Sequence, residues 1–299
     1  MEGNVEKLEK LGKEAILTKY NQIDFFVADV IDAAPKGERH SMEHPMFSLS
    51  KTPDRTIRNY ENGDCSVTIT PSVLGAATIW DKDLLLYCSS QITEALNRDQ
   101  EVSRRIKVDS YAILTASERG TGGQSYDQLI EALKRLEGTR ISTNIKAAGF
   151  RESRGFGLID SWAIADTHPK TGRVVSVEIT LSEWLFRALV SREVLTFNRE
   201  YFRLKGGLER RLYELARKHC GKQKNGWPIS LVKLFKKSGA KNADVDPDSA
   251  VPELVKKYRA SLRRFRADIK KMAAHDSPIP DYIINYDSES EIVTFMPAE

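Results

Sequence analysis

VPELVKKYRASLRRFRADIKKMAA, residues 251–274, reads as one helix. Leu254, Tyr258, Leu262, Phe265, Ile269 and Met272 recur at alternating spacings of four and three, a single narrow apolar stripe. Pro252 suits a first helical position, where its missing N–H has no intrahelical partner to lose. At about 100° per residue, Lys256, Arg259, Arg263 and Lys270 fall opposite the stripe. Ala260 and Ala267 share that face and are small enough to let a partner approach the backbone. Lys257, Arg264, Arg266 and Lys271 lie on the flanks. Eight cations against two acids, Glu253 and Asp268, is not the mixed surface of an ordinary solvated helix. A helix lying on anionic membrane would carry a wider apolar face than this core-sized stripe. The pattern predicts a helix docked by its stripe and laid in a major groove of duplex DNA.

The charge around this helix points the same way. The 299-residue chain has a net charge of only +4. Residues 1–181 hold 23 Lys/Arg and 26 Asp/Glu, whereas residues 182–299 hold 23 and 16. Within 205–271 the count is 19 against 7, an excess that attracts polyanions. Lys233, Lys236 and Lys237, with Lys224, stand just ahead of the basic helix and add candidate phosphate contacts. Cys65, Cys88 and Cys220 are isolated and odd in number, which favours a reducing compartment and disfavours structural zinc. No run of about 18 apolar residues is present and the N-terminus lacks the pattern of a signal peptide, so a cytoplasmic protein with no membrane role is expected.

Taken in order, residues 4–20 carry Val5, Leu8, Leu11, Ala15 and Ile16 at helical spacing, an amphipathic arm. Residues 32–46 are polar with two prolines and read as a linker or extended lead-in. A strand is expected over 64–70, and a helix capped by Asp81 runs to about Asn97. A short strand at 106–108 precedes a short helix near 109–117. After a glycine turn at 120–123 comes a helix over 125–137, with Ser125 and Gln128 as a capping box. Strand-like runs follow at 140–146, 157–165 and 173–180. The second half repeats this order: a connecting helix at 182–191, a strand-like piece near 201–204, helices at 208–219, 231–238 and 251–274, then a hairpin at 282–296. Helix, short helix, helix, then hairpin is the order of a winged helix-turn-helix unit. The expected fold class is α+β and helix-rich: an N-terminal helical arm and linker (1–43), then two tandem winged helix-turn-helix domains. The first (44–181) dimerises, contacts DNA or both, and the second (182–299) is the main DNA reader.

Four stretches carry a family resemblance: HPMFSLSKTPDRTIRNYENGD (44–64), TPSVLGAATIWDKDLLLYCSSQI (70–92), GGQSYDQLIEALKRLEGTRISTNI (122–145) and LERRLYELARKHCG (208–221). In these, and across roughly 44–299, the chain resembles the replication initiator protein A family of bacterial plasmids. The resemblance implies a protein that binds repeated sequences (iterons) at a plasmid origin, promotes opening of the duplex there and recruits the host replicative helicase and initiator proteins. It further implies a homodimer in equilibrium with monomer, and repression of its own gene by the dimer. It assigns first-domain reading to the helix from Gln124 to Arg135, with Gln124, Ser125, Gln128, Arg135 and the following Arg140 as candidate contacts. It assigns second-domain reading to the Pro252–Lys271 helix. The first helix departs from a basic pattern, because Asp127, Glu131 and Glu137 offset Lys134, Arg135 and Arg140; dimerisation is an equally good role for it.

Catalytic signatures are sparse. There is no GxxxxGK[ST] phosphate loop, since Gly120–Gly123 lacks the lysine that would reach the phosphates. His40 and His44 have metal-ligand spacing but sit in a Pro-flanked segment, and His168, His219 and His275 stand apart. Arg210, Arg211 and His219 resemble part of a tyrosine recombinase cluster that lacks its second arginine. Trp162, Trp184 and Trp227 read as core. The expectation is therefore a DNA binder that is not an enzyme and takes no cofactor or metal. A winged-helix transcriptional repressor and a DNA nicking and joining enzyme are the alternatives. Arg259 and Arg263 are the candidates for base readout, because an arginine fork matches guanine O6 and N7. Lys256, Arg266, Lys270 and Lys271 are the candidates for phosphates.

Overall fold

The computed structural model describes residues 26–28, 33–62, 65–144, 146–147, 150–151, 154–276 and 278–298. The expected amphipathic arm at 4–20 lies outside these residues. The chain opens with β1 (Phe26–Ala28), β2 (Lys36–Glu38), α1 (Arg39–Glu43), β3 (Arg58–Asn62), β4 (Cys65–Thr70) and α2 (Lys82–Asn97). Next come β5 (Arg105–Asp109), α3 (Ser110–Ala116), α4 (Gly123–Gly138), β6 (Arg140–Thr143), β7 (Lys146–Ala147), β8 (Phe150–Arg151) and β9 (Arg154–Gly157). The first half closes with β10 (Ile159–Thr167), β11 (Val174–Leu181) and α5 (Glu183–Val190). The second half holds β12 (Val194–Thr196), a 3-10 turn (Arg199–Arg203), α6 (Gly207–His219), β13 (Trp227–Ser230), α7 (Leu231–Ser238), α8 (Pro252–Ala273), β14 (Tyr282–Asp287) and β15 (Ile292–Pro297).

Alternation decides the strands and 3.6-residue periodicity the helices. In β5 the buried Ile106 and Val108 face inward and pair with Ile179 and Val177 of β11. That sheet runs β1-β5-β11-β10, with α2 and α4 supplying Leu84, Leu85, Ile92, Leu129 and Leu133 to the same core. The second sheet of this arrangement runs β13-β15-β14, covered by α6, α7 and α8. In both halves, then, the strand ahead of the two later helices pairs with the last strand of the closing hairpin. A further four-stranded sheet, β3-β4-β6-β9, lies in the first half; β4 and β6 fall on the strands expected at 64–70 and 140–146, whereas β3 is unexpected.

Several local expectations need correction. Residues 36–43 are not an extended lead-in: β2 pairs with β12 across the chain, and Met42 is buried in the second-half core. Asp81 precedes α2 without capping it; its carboxylate takes the Thr78 N–H and the Arg135 guanidinium. α4 starts at Gly123 behind an N-cap at Gly122, so Ser125 sits inside the first turn and the Ser125/Gln128 box does not form. The piece near 201–204 is a 3-10 turn, because Asn198 accepts the Glu200 N–H and bends the chain. Trp227-Pro228 begins β13, and proline is tolerated there on an edge strand. Other signals hold. Asp109 caps α3 through the Ala112 N–H at 2.7 Å. Gly239 ends α7 in the left-handed region at φ +69°, where an added Cβ would also collide with Pro45.

Candidate nucleic-acid interface

The stripe of α8 lies where its spacing puts it. Tyr258, Phe265 and Ile269 are buried, Leu262 and Met272 pack at the margin, and only Leu254, in the first turn, is left exposed. Phe235 of α7 holds the helix through Tyr258, ring centroids 5.6 Å apart, and Phe265 at 5.2 Å. Asn242 bonds Ser261 Oγ at 2.9 Å and ties the polar turn before the helix onto its back.

The outward side is cationic. Lys256, Lys257, Arg259, Arg263, Arg264, Lys270 and Lys271 are all exposed, and none forms an ion pair among the described residues. Seven unneutralised cations on one helix repel one another, and a polyanion relieves that repulsion. Arg266 differs: half-buried, it reaches Glu291 in the β14–β15 turn at 2.5 Å, which braces the hairpin against the helix. Arg264 also lines a cleft of about 480 Å³ between α8, the end of α7 and residues 48–58. Among the α7 candidates, Lys233 and Lys236 are exposed. Lys237 is instead engaged by Glu43, which also meets Lys218 at 3.0 Å and His219 Nε2 at 2.9 Å. Burial would raise the Glu43 carboxyl, but His219, Lys237 and Lys218 outweigh it and hold it well below the usual carboxylate range. Burial pushes the neighbouring His44 down to about 4, against the opposing pull of Glu43.

The first-half candidates are more scattered. Gln124 and Gln128 are exposed on α4 and Arg140 is exposed on β6, whereas Ser125 is half-covered. Arg135 points inward and grips Asp81 with two bonds of 2.8 Å. The rest of the α4 surface is mixed: Lys134 pairs with Glu131 at 2.8 Å, and Glu137 accepts the Trp162 indole N–H at 3.0 Å. Arg210 and Arg211, which resembled recombinase residues, are 3% exposed and bonded to carboxylates and backbone carbonyls. His219 stacks on Trp227, and Trp184 stacks on Phe156. The residues that sequence reading passed over are Lys82 and Asp83, and it took Asp81 only for a cap. Their signal was three charges in a row at the head of the apolar run LLLYC.

The family model of replication initiator protein A matches residues 36–260. A curated protein of Wigglesworthia glossinidia brevipalpis, "Putative replication protein", is 36% identical over 287 residues, covering 95% of this chain and 97% of that one. Among solved structures, domains 2 and 3 of RctB superpose with a TM-score of 0.52 at 12% identity, covering 85% of this chain and 96% of that one. A second structure of RctB domains 2–3 (RctB-155-483) gives the same TM-score and covers 95% of its own length. These structures share the fold. No helix among the described residues is long and apolar enough to cross a membrane. By its family match and its relative, this chain belongs to the replication initiator protein A family.

Proposed function

We propose that the chain starts plasmid replication as a non-enzymatic reader of duplex DNA, binding repeated origin sequences through two tandem winged helix-turn-helix units. The repeated sheet order supports the tandem reading, with the second helix of each pair, α4 and α8, in the groove-reading position. The observation that carries the proposal is α8 itself, seated by Tyr258, Phe265 and Ile269 and, among the described residues, bare of ion pairs along Lys256, Arg259, Arg263 and Lys270. Arg259 and Arg263 read base edges. Lys256, Lys270 and Lys271, with Lys233 and Lys236 of α7, hold phosphates. Arg266 and Glu291 set the wing. Burial of Arg210 and Arg211 away from any substrate supports a role without strand cleavage. Origin opening, recruitment of the host helicase and initiator proteins, a monomer–dimer equilibrium with the dimer contact in the first half, and autorepression complete the proposal, on the strength of the family.

The test is a titration into a labelled duplex carrying one origin repeat, beside a scrambled duplex, across a salt series. A preference of roughly 10³ or more with a steep salt slope is expected. Equal, salt-sensitive binding to both duplexes would reduce α8 to a polyanion patch.

A further inference from the structure

Three consecutive side chains at the head of α2, Asp81, Lys82 and Asp83, are almost sealed from solvent. Each is held by a different partner. Asp81 takes the Arg135 fork of α4 at 2.8 Å twice. Lys82 Nζ lies 2.8 Å from Glu214 of α6. Asp83 takes Arg210 of α6 at 2.6 Å and Arg119, just beyond α3, at 3.2 Å. From α6 the contacts continue outward. Arg211 pairs with Glu214 at 3.2 Å and donates to the Lys237 carbonyl at 2.9 Å, in the last turn of α7. α7 in turn carries Phe235, the ring on which α8 sits. One tripeptide thus ties α4 to α8 through a continuous chain of named contacts.

The chemistry suits registry better than stability. Lys82, Arg119, Arg210 and Arg211 outnumber Asp83 and Glu214, and carbonyls of Phe202, Leu204, Ser41 and Met42 accept the surplus donors. Buried ion pairs add little net stability over apolar replacements, and fixing register is their best-attested use. A guanidinium fork on a carboxylate accepts one geometry, whereas apolar faces slide. We propose that Asp81, Lys82 and Asp83 are positioning residues that set the angle and separation of α4 and α8, and so the spacing of the two DNA elements bound together. The spacing clause rests on the tandem-reader proposal above; the helix-to-helix geometry does not.

The experiment compares the full chain with the Lys82→Met/Glu214→Gln double variant, which removes one charge of each sign at nearly constant volume. Spin labels on non-canonical residues at Gln128 and Lys270 report the α4–α8 distance in the free protein. In parallel, affinity is measured on duplexes whose spacer between the two elements is changed by two base pairs, a rotation of roughly 70°. The expected result is a narrow distance distribution in the parent that broadens in the variant. With it, a spacer penalty of about tenfold or more in the parent collapses to less than about threefold in the variant. A variant with the parent's narrow distance and the parent's spacer penalty overturns the proposal. A distance that broadens while neither protein shows a spacer penalty upholds the registry and overturns two-helix reading. Asp81→Asn/Arg135→Gln, which cuts only the α4 limb, serves if the first variant does not fold, and the same broadening is expected.

Discussion

α4 and α8 occupy the same place in two copies of one element order, yet their surfaces differ. α4 spans 16 residues and α8 spans 22, and each buries one apolar stripe against a small sheet. On α4 the cations are engaged: Arg135 by Asp81 and Lys134 by Glu131. On α8 seven cations stand free of ion pairs among the described residues. Docking is thus a matter of periodicity, which both helices share. The reading proposed for α8 rests instead on which charges the fold has left uncommitted, and there the two helices part.

The comparison can be broken at several levels. If docking is equivalent, Phe265→Ala should cost about 3–5 kcal/mol and Leu133→Ala about 2–5 kcal/mol, measured by urea denaturation. A negligible loss at either site would mean that one helix is only loosely seated. Acid should then separate the halves. Unfolded His44 takes up a proton near pH 6.5, while the folded imidazole holds off until about 4. The unfolded state binds more protons across that window, so stability falls as pH drops from 6.5 toward 4, by on the order of 2–3 kcal/mol. The depressed Glu43 carboxyl works in the same sense: its contribution is present above the unfolded carboxylate value and is lost as pH falls below it. Both groups sit against α6 and α7, so hydrogen exchange should show those helices losing protection before α2. His44→Gln should remove the upper limb of this profile, and an unchanged profile would contradict the assignment.

Smaller effects sharpen the contrast in reading. Arg263→Ala should cost roughly 1–3 kcal/mol in DNA affinity and relax discrimination at one base pair. Lys134→Ala on α4 should change affinity by less than about 0.5 kcal/mol. Equal losses would make α4 and α8 equal readers. Lys270→Ala should weaken every sequence alike and lower the salt slope by about one.

Local pattern was enough to find most of this. Spacing located all of α8, the alternation of Cys65, Val67 and Ile69 located β4, and Pro252 marked the start of α8 through its own backbone chemistry. What escaped was non-local. β2 is a strand only because β12 lies beside it, and Lys36-Gly37-Glu38 carries no alternation of its own. The same holds for charge. Sequence counts Arg135, Lys237 and Arg266 with the free cations, but Asp81, Glu43 and Glu291, each remote in the chain, withdraw them from solvent.

The contacts of Arg211 with the Ser41 and Met42 carbonyls join residues about 170 positions apart. A ribosome delivers chains from the N-terminus at a few to tens of residues per second. Residues 36–43 therefore leave the exit tunnel long before β12, Arg211 or Lys237 exist to receive them. For much of synthesis this segment has an unpaired strand edge, an uncovered Met42 and a Glu43 without its cations. Its folding clock is set by the emergence of α6 and α7. A chain stopped near residue 190 would hold the first-half core, with β2 resting on α2 through Ser90, and still leave β2 without its strand partner and Glu43 without its cations.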